Sequence, residues 1–443
     1  MTRYSVHVLM LLCSVAALSA VPLPAGVWQE AAPMPASPSG RAVKDGGWLT
    51  YNPGDGLLYA AKGYKTGDFY SYNPAINSWF ILPLIPDGSE GKPAGKGSSG
   101  VSDGERYIYC TKGNNTVGFW RYDVDSAVWQ QRADVPTGFT NKKVKGGTDL
   151  VYVGDSTVPS IYLLKGYKNE FWRYDVTADT WYFQPLAPGR ASIKWDRGSF
   201  LAPDGAGGIL AHKAKYHEMY RFDLSEGTWD TLPRLTGMPL FSRATGRTKK
   251  SKDGGAGAWH SGSVYALKGG NTQEFWRYFT SRDSWVELET IPAYGTTGKK
   301  KRVKAGADIV STGGGVFYAL KGNKTGELWR YSLDTAGVRH AATPRSGAQA
   351  EPGRRAADCR LRVAQNPTRG TATIRWSGSS SLAPCPSTLS LYDASGRLVL
   401  VRSIGSAASG TARLDLRFLP SDVYFVRLTS AGRAAEQKLV LRK

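Results

Sequence analysis

The chain has 443 residues, with 57 Lys and Arg against 36 Asp and Glu, and a formal net charge of +21. At 41% apolar and 21% charged it is too hydrophobic for a disordered chain, and beyond its N-terminus no apolar run approaches the ~18 residues that span a bilayer. Fourteen Trp, 23 Tyr and 52 Gly favour short aromatic strands joined by glycine turns over helices.

The first element is an export signal. Arg3, the apolar run from Val8 to Leu18 and the small residues Ser19 and Ala20 read as a cleavable secretory peptide over residues 1–20. Leu12 stands before Cys13 where a lipoprotein box needs a small residue. Of the remaining cysteines, Cys110 sits in an apolar strand and reads as a buried thiol, whereas Cys359 and Cys385 could pair in an oxidising compartment.

An internal repeat follows: an apolar strand, Lys-Gly, a polar turn, an acid, two aromatics around an Arg, and a later Trp. It reads Lys62-Gly63 with Tyr70, Tyr72 and Trp79, then Lys112-Gly113 with Trp120, Tyr122 and Trp129, then Lys165-Gly166 with Trp172, Tyr174 and Trp181. Lys213-Ala214 with Tyr220, Phe222 and Trp229 is a weaker copy; Lys268-Gly269 with Trp276, Tyr278 and Trp285, and Lys321-Gly322 with Trp329 and Tyr331, complete the set. The aromatic after the Arg recurs at steps of 50, 52, 48, 56 and 53 residues. Each unit divides at its turns into four short strands, too small to fold alone.

The sixth unit breaks off after Tyr331 without its late Trp and the proline seven residues beyond; that pair stands instead at the N-terminus as Trp28 and Pro35. A first strand that completes the last repeat closes a ring and removes free sheet edges. Blades such as EFWRYDVTADTW (Glu170 to Trp181) resemble the kelch-type β-propeller family over residues 27–335, with Lys-Gly in place of the family's usual Gly-Gly. The expected fold is all-β: a six-bladed kelch-like propeller closed by its N-terminal strand, then a small Ig-like β-sandwich.

Residues shared by every blade answer first to packing. The Trp and Tyr rows read as inter-blade core. The Lys of Lys-Gly has an acid five or six residues on (Asp68, Glu170, Glu218, Glu274, Glu327), except Lys112, where Gly118 holds that place. The Arg row (Arg121, Arg173, Arg221, Arg277, Arg330) is expected to pair with carboxylates. A second basic row, Lys44, Lys96, Lys145, Arg197, Lys252 and Lys304, leads each first strand. The resemblance implies that first strands line a central channel, so these cations would focus a positive potential on an anion. Symmetry breaks at Trp195, His212, His217, Trp259 and His260, where an exposed Trp beside cations would suit an acidic glycan.

No H-E-x-x-H, nucleophile elbow, P-loop or dinucleotide fingerprint is present, and no C-x-x-C pair, so the sequence calls for no metal, no cofactor and no catalytic residue. It favours a binding module for an acidic glycan or other polysaccharide, or for a surface protein, and reads as a monomer. An extracellular carbohydrate-active enzyme and an architectural surface protein are the alternatives.

Residues 336–358, rich in Ala, Arg, Gly and Pro, read as a linker, and 359–443 as a second domain. Residues 21–335 carry 39 bases and 30 acids, residues 336–443 carry 17 and 6, and Trp falls from 13 to one. The charge is thus split between two differently composed domains, which argues against a nucleic-acid partner. The strings NPTRGTATI (Asn366 to Ile374), LYDASGRLV (Leu391 to Val399), DVYFVRL (Asp422 to Leu428) and KLVL (Lys438 to Leu441) resemble the C-terminal sorting domain of type IX secretion, with Ser421-Asp422 where the family usually has a glycine. The resemblance implies handling by the type IX machinery in a Gram-negative-type envelope. It also implies release outside the cell or attachment at the outer-membrane surface.

Overall fold

A computed structural model describes residues 26–154, 158–333 and 360–442, the last without 365, 378–386, 394–397, 404–408, 418, 420 and 431–432. The signal at 1–20, the linker at 336–358, and Cys359, Cys385 and His340 lie outside the described residues. The chain divides into two compact units, Met1–Ala341 and Ala342–Lys443.

Among the described residues the first unit holds six four-stranded antiparallel sheets and one short 3-10 turn. The third sheet is typical: Asp149–Val153, Ser160–Lys165, Glu170–Asp175 and Thr180–Gln184, paired in that order. The buried second and third strands are rich in aromatic and aliphatic residues, as strands covered on both faces require. The first strands (Trp48–Asn52, Ser99–Ser102, Asp149–Val153, Phe200–Pro203, Ala256–His260 and Asp308–Gly313) lie innermost, each against the next and the last against the first. This all-β arrangement of four-stranded sheets is consistent with a propeller.

The sixth sheet is Asp308–Gly313, Val316–Leu320 and Leu328–Leu333, completed by Gly26–Ala31 with Trp28 opposite Tyr331. The late Trp row joins neighbouring sheets. Each indole N–H donates to a carbonyl of the sheet before it: Trp79 to Ala32, Trp129 to Pro83, Trp181 to Ala133, Trp229 to Pro185, Trp285 to Thr236 and Trp28 to Glu289, at 2.7–2.9 Å. Their rings pack edge-on and tilted against Tyr and Phe of two sheets, as Phe69, Tyr122 and Trp129 do at 4.9–5.1 Å. Cys110 lies in this core, fully buried, its thiol pushed up by burial.

The second unit has two antiparallel sheets, one of Arg360–Val363, Thr371–Ser377 and Ser409–Asp415, the other ordered Leu398–Ser403, Ser387–Asp393, Asp422–Ser430, Arg433–Leu441. Alternation turns Tyr424, Val426 and Leu428 onto a core shared with Ile374 and Trp376 of the first sheet, while Arg427 faces out.

Candidate functional site

The repeat lysines serve structure. Lys62, Lys165, Lys213, Lys268 and Lys321 are at most 1% exposed. They bond Asp68, Glu170, Glu218, Glu274 and Glu327 at 2.9, 2.8, 3.3, 2.5 and 2.5 Å. Burial lowers the pKa of Lys62, Lys165, Lys213 and Lys321, against the pull of their carboxylates. Lys112, without an acid, donates to the carbonyl of Asp87.

The Arg row differs from the sequence expectation. Only Arg221 meets carboxylates, Asp204 at 2.6 Å, Asp223 at 2.8 Å and Asp230 at 3.3 Å. Arg121, Arg173 and Arg277 lie over the rings of Tyr107, Tyr182 and Phe279 at 4.2, 4.9 and 4.1 Å, and Arg330 bonds Gln29 and Ser332. The cause is cross-strand pairing: Arg221 alone has an acid opposite, Asp230, whereas Arg121 stands between Gln130 and Tyr109 and Arg277 between Val286 and Tyr265.

The inner row is built on a ring of glycines. Gly46, Gly97, Gly147, Gly198, Gly254 and Gly306 all have φ between 84° and 98°, and a Cβ on any of them would strike the backbone of the next sheet. The bases are not in one register with this ring. Lys44, Lys145, Lys252 and Lys304 stand two residues before the glycine, Lys96 and Arg197 only one. At the position next to the glycine the other sheets carry Asp45, Gly146, Asp253 and Ala305. The expected ring of six equivalent cations is therefore corrected. Arg197 is held by Asp45 at 2.8 Å and Asp253 at 3.1 Å, so the narrow channel, about 90 Å³, carries both signs of charge. Lys44 contacts Asp45 at 3.9 Å and the Tyr64 ring at 4.8 Å; Lys252 and Lys304 are exposed and stand apart.

Deeper in the channel lie Asp149 and Asp308. Asp149 accepts from the Leu201 N–H and the Ser99 hydroxyl, each at 2.8 Å, and Asp308 from the Leu49 N–H at 2.8 Å. Each ties its own sheet to a neighbour. Burial pushes Asp149 up to about 6 and Asp308, which also feels Asp149, up to about 8.

Three of the six bases do converge. Lys96, Lys145 and Arg197 line one cavity of about 370 Å³ with Asn114, Asn115, Gly146, Tyr167 and Asp196. Tyr167 is 45% exposed, with Lys145 Nζ 5.6 Å and Lys194 Nζ 5.2 Å from its ring centre. Asp196 is engaged by Lys215 at 2.8 Å. Among the described residues no carboxylate lies within 4.0 Å of the ammonium of Lys96 or Lys145. Two unneutralised ammonium groups, a ring and two amides can hold a carboxylate or sulfate and cover a sugar face.

The symmetry-breaking residues lie elsewhere. Trp195 is 0% exposed, under Tyr220 and Lys213, so it offers no surface ring. His212 is likewise 0% exposed, stacked on Phe200 at 4.9 Å, and burial holds its pKa down at about 3. Trp259 is half-buried against Gly205. The sequence reading passed over Tyr167, Asn114 and Asn115. Their signal was variation of the side chain on a fixed backbone: the residue after Lys-Gly is Tyr64, Asn114, Tyr167, Lys215, Gly270 or Asn323, each in the left-handed region. Among the described residues no group of three His, Cys, Asp or Glu side chains could hold a metal ion.

Known proteins resemble parts of this chain. Over 226 residues, 46% of the chain, it is 26% identical to the Kelch-like protein terF of Aspergillus terreus, and it spans 46% of that protein's length. A structural genomics protein of unknown function from Bacteroides thetaiotaomicron superposes with a TM-score of 0.47 at 11% identity, covering 69% of this chain and 76% of that one. An auxiliary nutrient binding protein from the same organism gives 0.43 at 10% identity, covering 66% and 69%. Residues 365–442 match the secretion system C-terminal sorting domain. That segment belongs to the sorting-domain family of type IX secretion, and the chain is one exported to the cell surface or the extracellular space.

Proposed function

We propose that the exported first unit is a six-bladed propeller that binds an acidic polysaccharide in the cavity lined by Lys96, Lys145 and Tyr167. The second unit, an Ig-like sandwich in this reading, serves only its delivery. The observation that carries the proposal is that Lys96 and Lys145 line one cavity with no carboxylate within 4.0 Å of either ammonium among the described residues, while five of the repeat lysines and Arg197 are neutralised. A long-chain anion presents repeated carboxylates to such a pair, and the exposed Tyr167 ring adds a stacking surface.

The test is binding of the full chain to polygalacturonate and to neutral dextran at low and high salt. Polygalacturonate is expected to bind, with affinity falling as salt rises and about tenfold or more on combining Lys96→Glu with Lys145→Glu. Lys304→Glu, remote from the cavity, is expected to change little. Equal binding of dextran, or a double reversal without effect, refutes the proposal.

A further inference from the structure

The acid of each repeat has two oxygens to satisfy. One takes the repeat lysine, and in Glu170, Glu218 and Glu327 the other is reached by a donor on the segment leading into that sheet. Thr140 gives both its donors to Glu170 Oε1, Ala191 its N–H to Glu218 Oε1 (3.1 Å) and Thr297 its hydroxyl to Glu327 Oε1 (3.4 Å), whereas Ser39 donates its N–H and hydroxyl (3.3 and 2.6 Å) to the Asp68 Oδ2 that also takes Lys62. The fifth sheet breaks this rule. Its leading segment carries a two-stranded hairpin, Phe241–Ser242 with Arg247–Thr248, found in none of the other five. Ser242 and Arg243 donate instead to Glu287, at 2.5 and 2.8 Å.

Glu274 is therefore left half-served. Its Oε2 takes Lys268 at 2.5 Å and the Trp276 indole at 3.2 Å, while its Oε1 is buried with no partner. The residue is 1% exposed, and a buried acceptor without a donor is destabilising. It lines a cavity of about 260 Å³ together with Thr245, Arg247, Lys249, Gln273 and Arg302. Among the described residues no carboxylate lies within 4.0 Å of the charged groups of these three bases. An unsatisfied acceptor at the wall and unneutralised cations around it define a ligand with a hydroxyl donor and a nearby anionic group.

We infer that this cavity is a second binding site, independent of the Lys96–Lys145 cavity, and that it takes a uronic-acid-type sugar. One ring hydroxyl donates to Glu274 Oε1, in the place that the Thr140 and Thr297 hydroxyls fill in their own sheets. The carboxylate meets Arg247, Lys249 and Arg302, and accepts bidentately from the guanidinium N–H groups among them.

Calorimetric titration of the full chain with D-glucuronate, D-glucose and tetragalacturonate tests this. Glucuronate is expected to bind at millimolar concentration and glucose about tenfold more weakly, the worth of one charge-assisted contact. In a Lys96→Glu, Lys145→Glu background, which removes the cations of the other cavity, Arg247→Ala, on the exposed hairpin, and Glu274→Gln are each expected to weaken glucuronate about tenfold. Tetragalacturonate binding as well as glucuronate assigns the site to chain ends, and glucuronate alone binding assigns it to the free sugar acid. No binding of either acid, glucose equal to glucuronate, or an Arg247→Ala protein that binds as the parent does overturns the inference. Should Glu274→Gln lose its fold with the Lys268 pair, Arg247→Ala and Arg302→Ala decide the matter.

Discussion

At position 212 the second strand of the fourth sheet carries a histidine where the other sheets place Ala61, Thr111, Leu164, Leu267 and Leu320. Neither ring nitrogen has a partner, so the imidazole is kept neutral inside the core. Its folded pKa, about 3, lies below the ordinary value, so the stability it allows is present above pH ~6.5 and is lost as pH falls toward 3. His212→Leu, the residue the repeat itself uses, is expected to raise the melting temperature at pH 5 by several degrees and by less at pH 7.5. A gain that does not grow on acidification would count against this account. Sequence showed that His212 broke the pattern but not which way it faced, and only the strand pairing with Phe200 decides that. The lysine and acid pairs were legible because both partners recur at fixed spacing within one hairpin. The Arg partners were not, because they are set by residues across strands.

Among the elements, the strand Gly26–Ala31 was the most legible, since the sixth repeat lacks a Trp that the N-terminus supplies. Gly26 also lies against the Tyr331 ring, where a Cβ has no room. Trp28 packs 4.8 Å from Tyr331 and 5.0 Å from Phe275, and so joins the fifth and sixth sheets. Trp28→Ala is expected to cost about 2–3 kcal/mol, somewhat under the usual Trp→Ala penalty because the ring is half-buried. Deletion of residues 26–31 is expected to cost more, since it bares the edge of Leu328–Leu333. Urea denaturation reads both, and an unchanged midpoint for the deletion would show that the ring does not depend on this closure. The hairpin at 241–248 was visible only as a repeat step of 56 residues. Extra length does not say what a segment has ceased to do, and here it has ceased to satisfy Glu274.

At the scale of the whole molecule, the net charge of +21 gave a misleading picture of the channel. Basic residues at similar spacing look like one row, but Lys96 and Arg197 each stand one residue nearer the turn glycine than Lys44, Lys145, Lys252 and Lys304 do. Lys96 and Arg197 are shifted in this way, and the channel they enter contains four carboxylates, from Asp45, Asp149, Asp253 and Asp308. Asp308 and Asp149 make the ring itself sensitive to pH. Both have folded pKa values above the ordinary carboxylate range, so the folded ring binds more protons than the unfolded chain between pH ~4 and their folded values. Their contribution is fully present below pH ~4 and is lost as pH rises, for Asp149 through about 6 and for Asp308 through about 8. Asp308→Asn keeps an acceptor for the Leu49 N–H and carries no charge at any pH. The stability of Asp308→Asn relative to the parent is therefore expected to improve from pH 5 to pH 8, by at most about 1.4 kcal/mol per pH unit. The comparison must be made as this difference, because His212 pulls the parent's own profile in the opposite direction below pH ~6.5. A constant difference across that range would mean that Asp308 is ionised in the folded ring and that the channel holds its charge by other means.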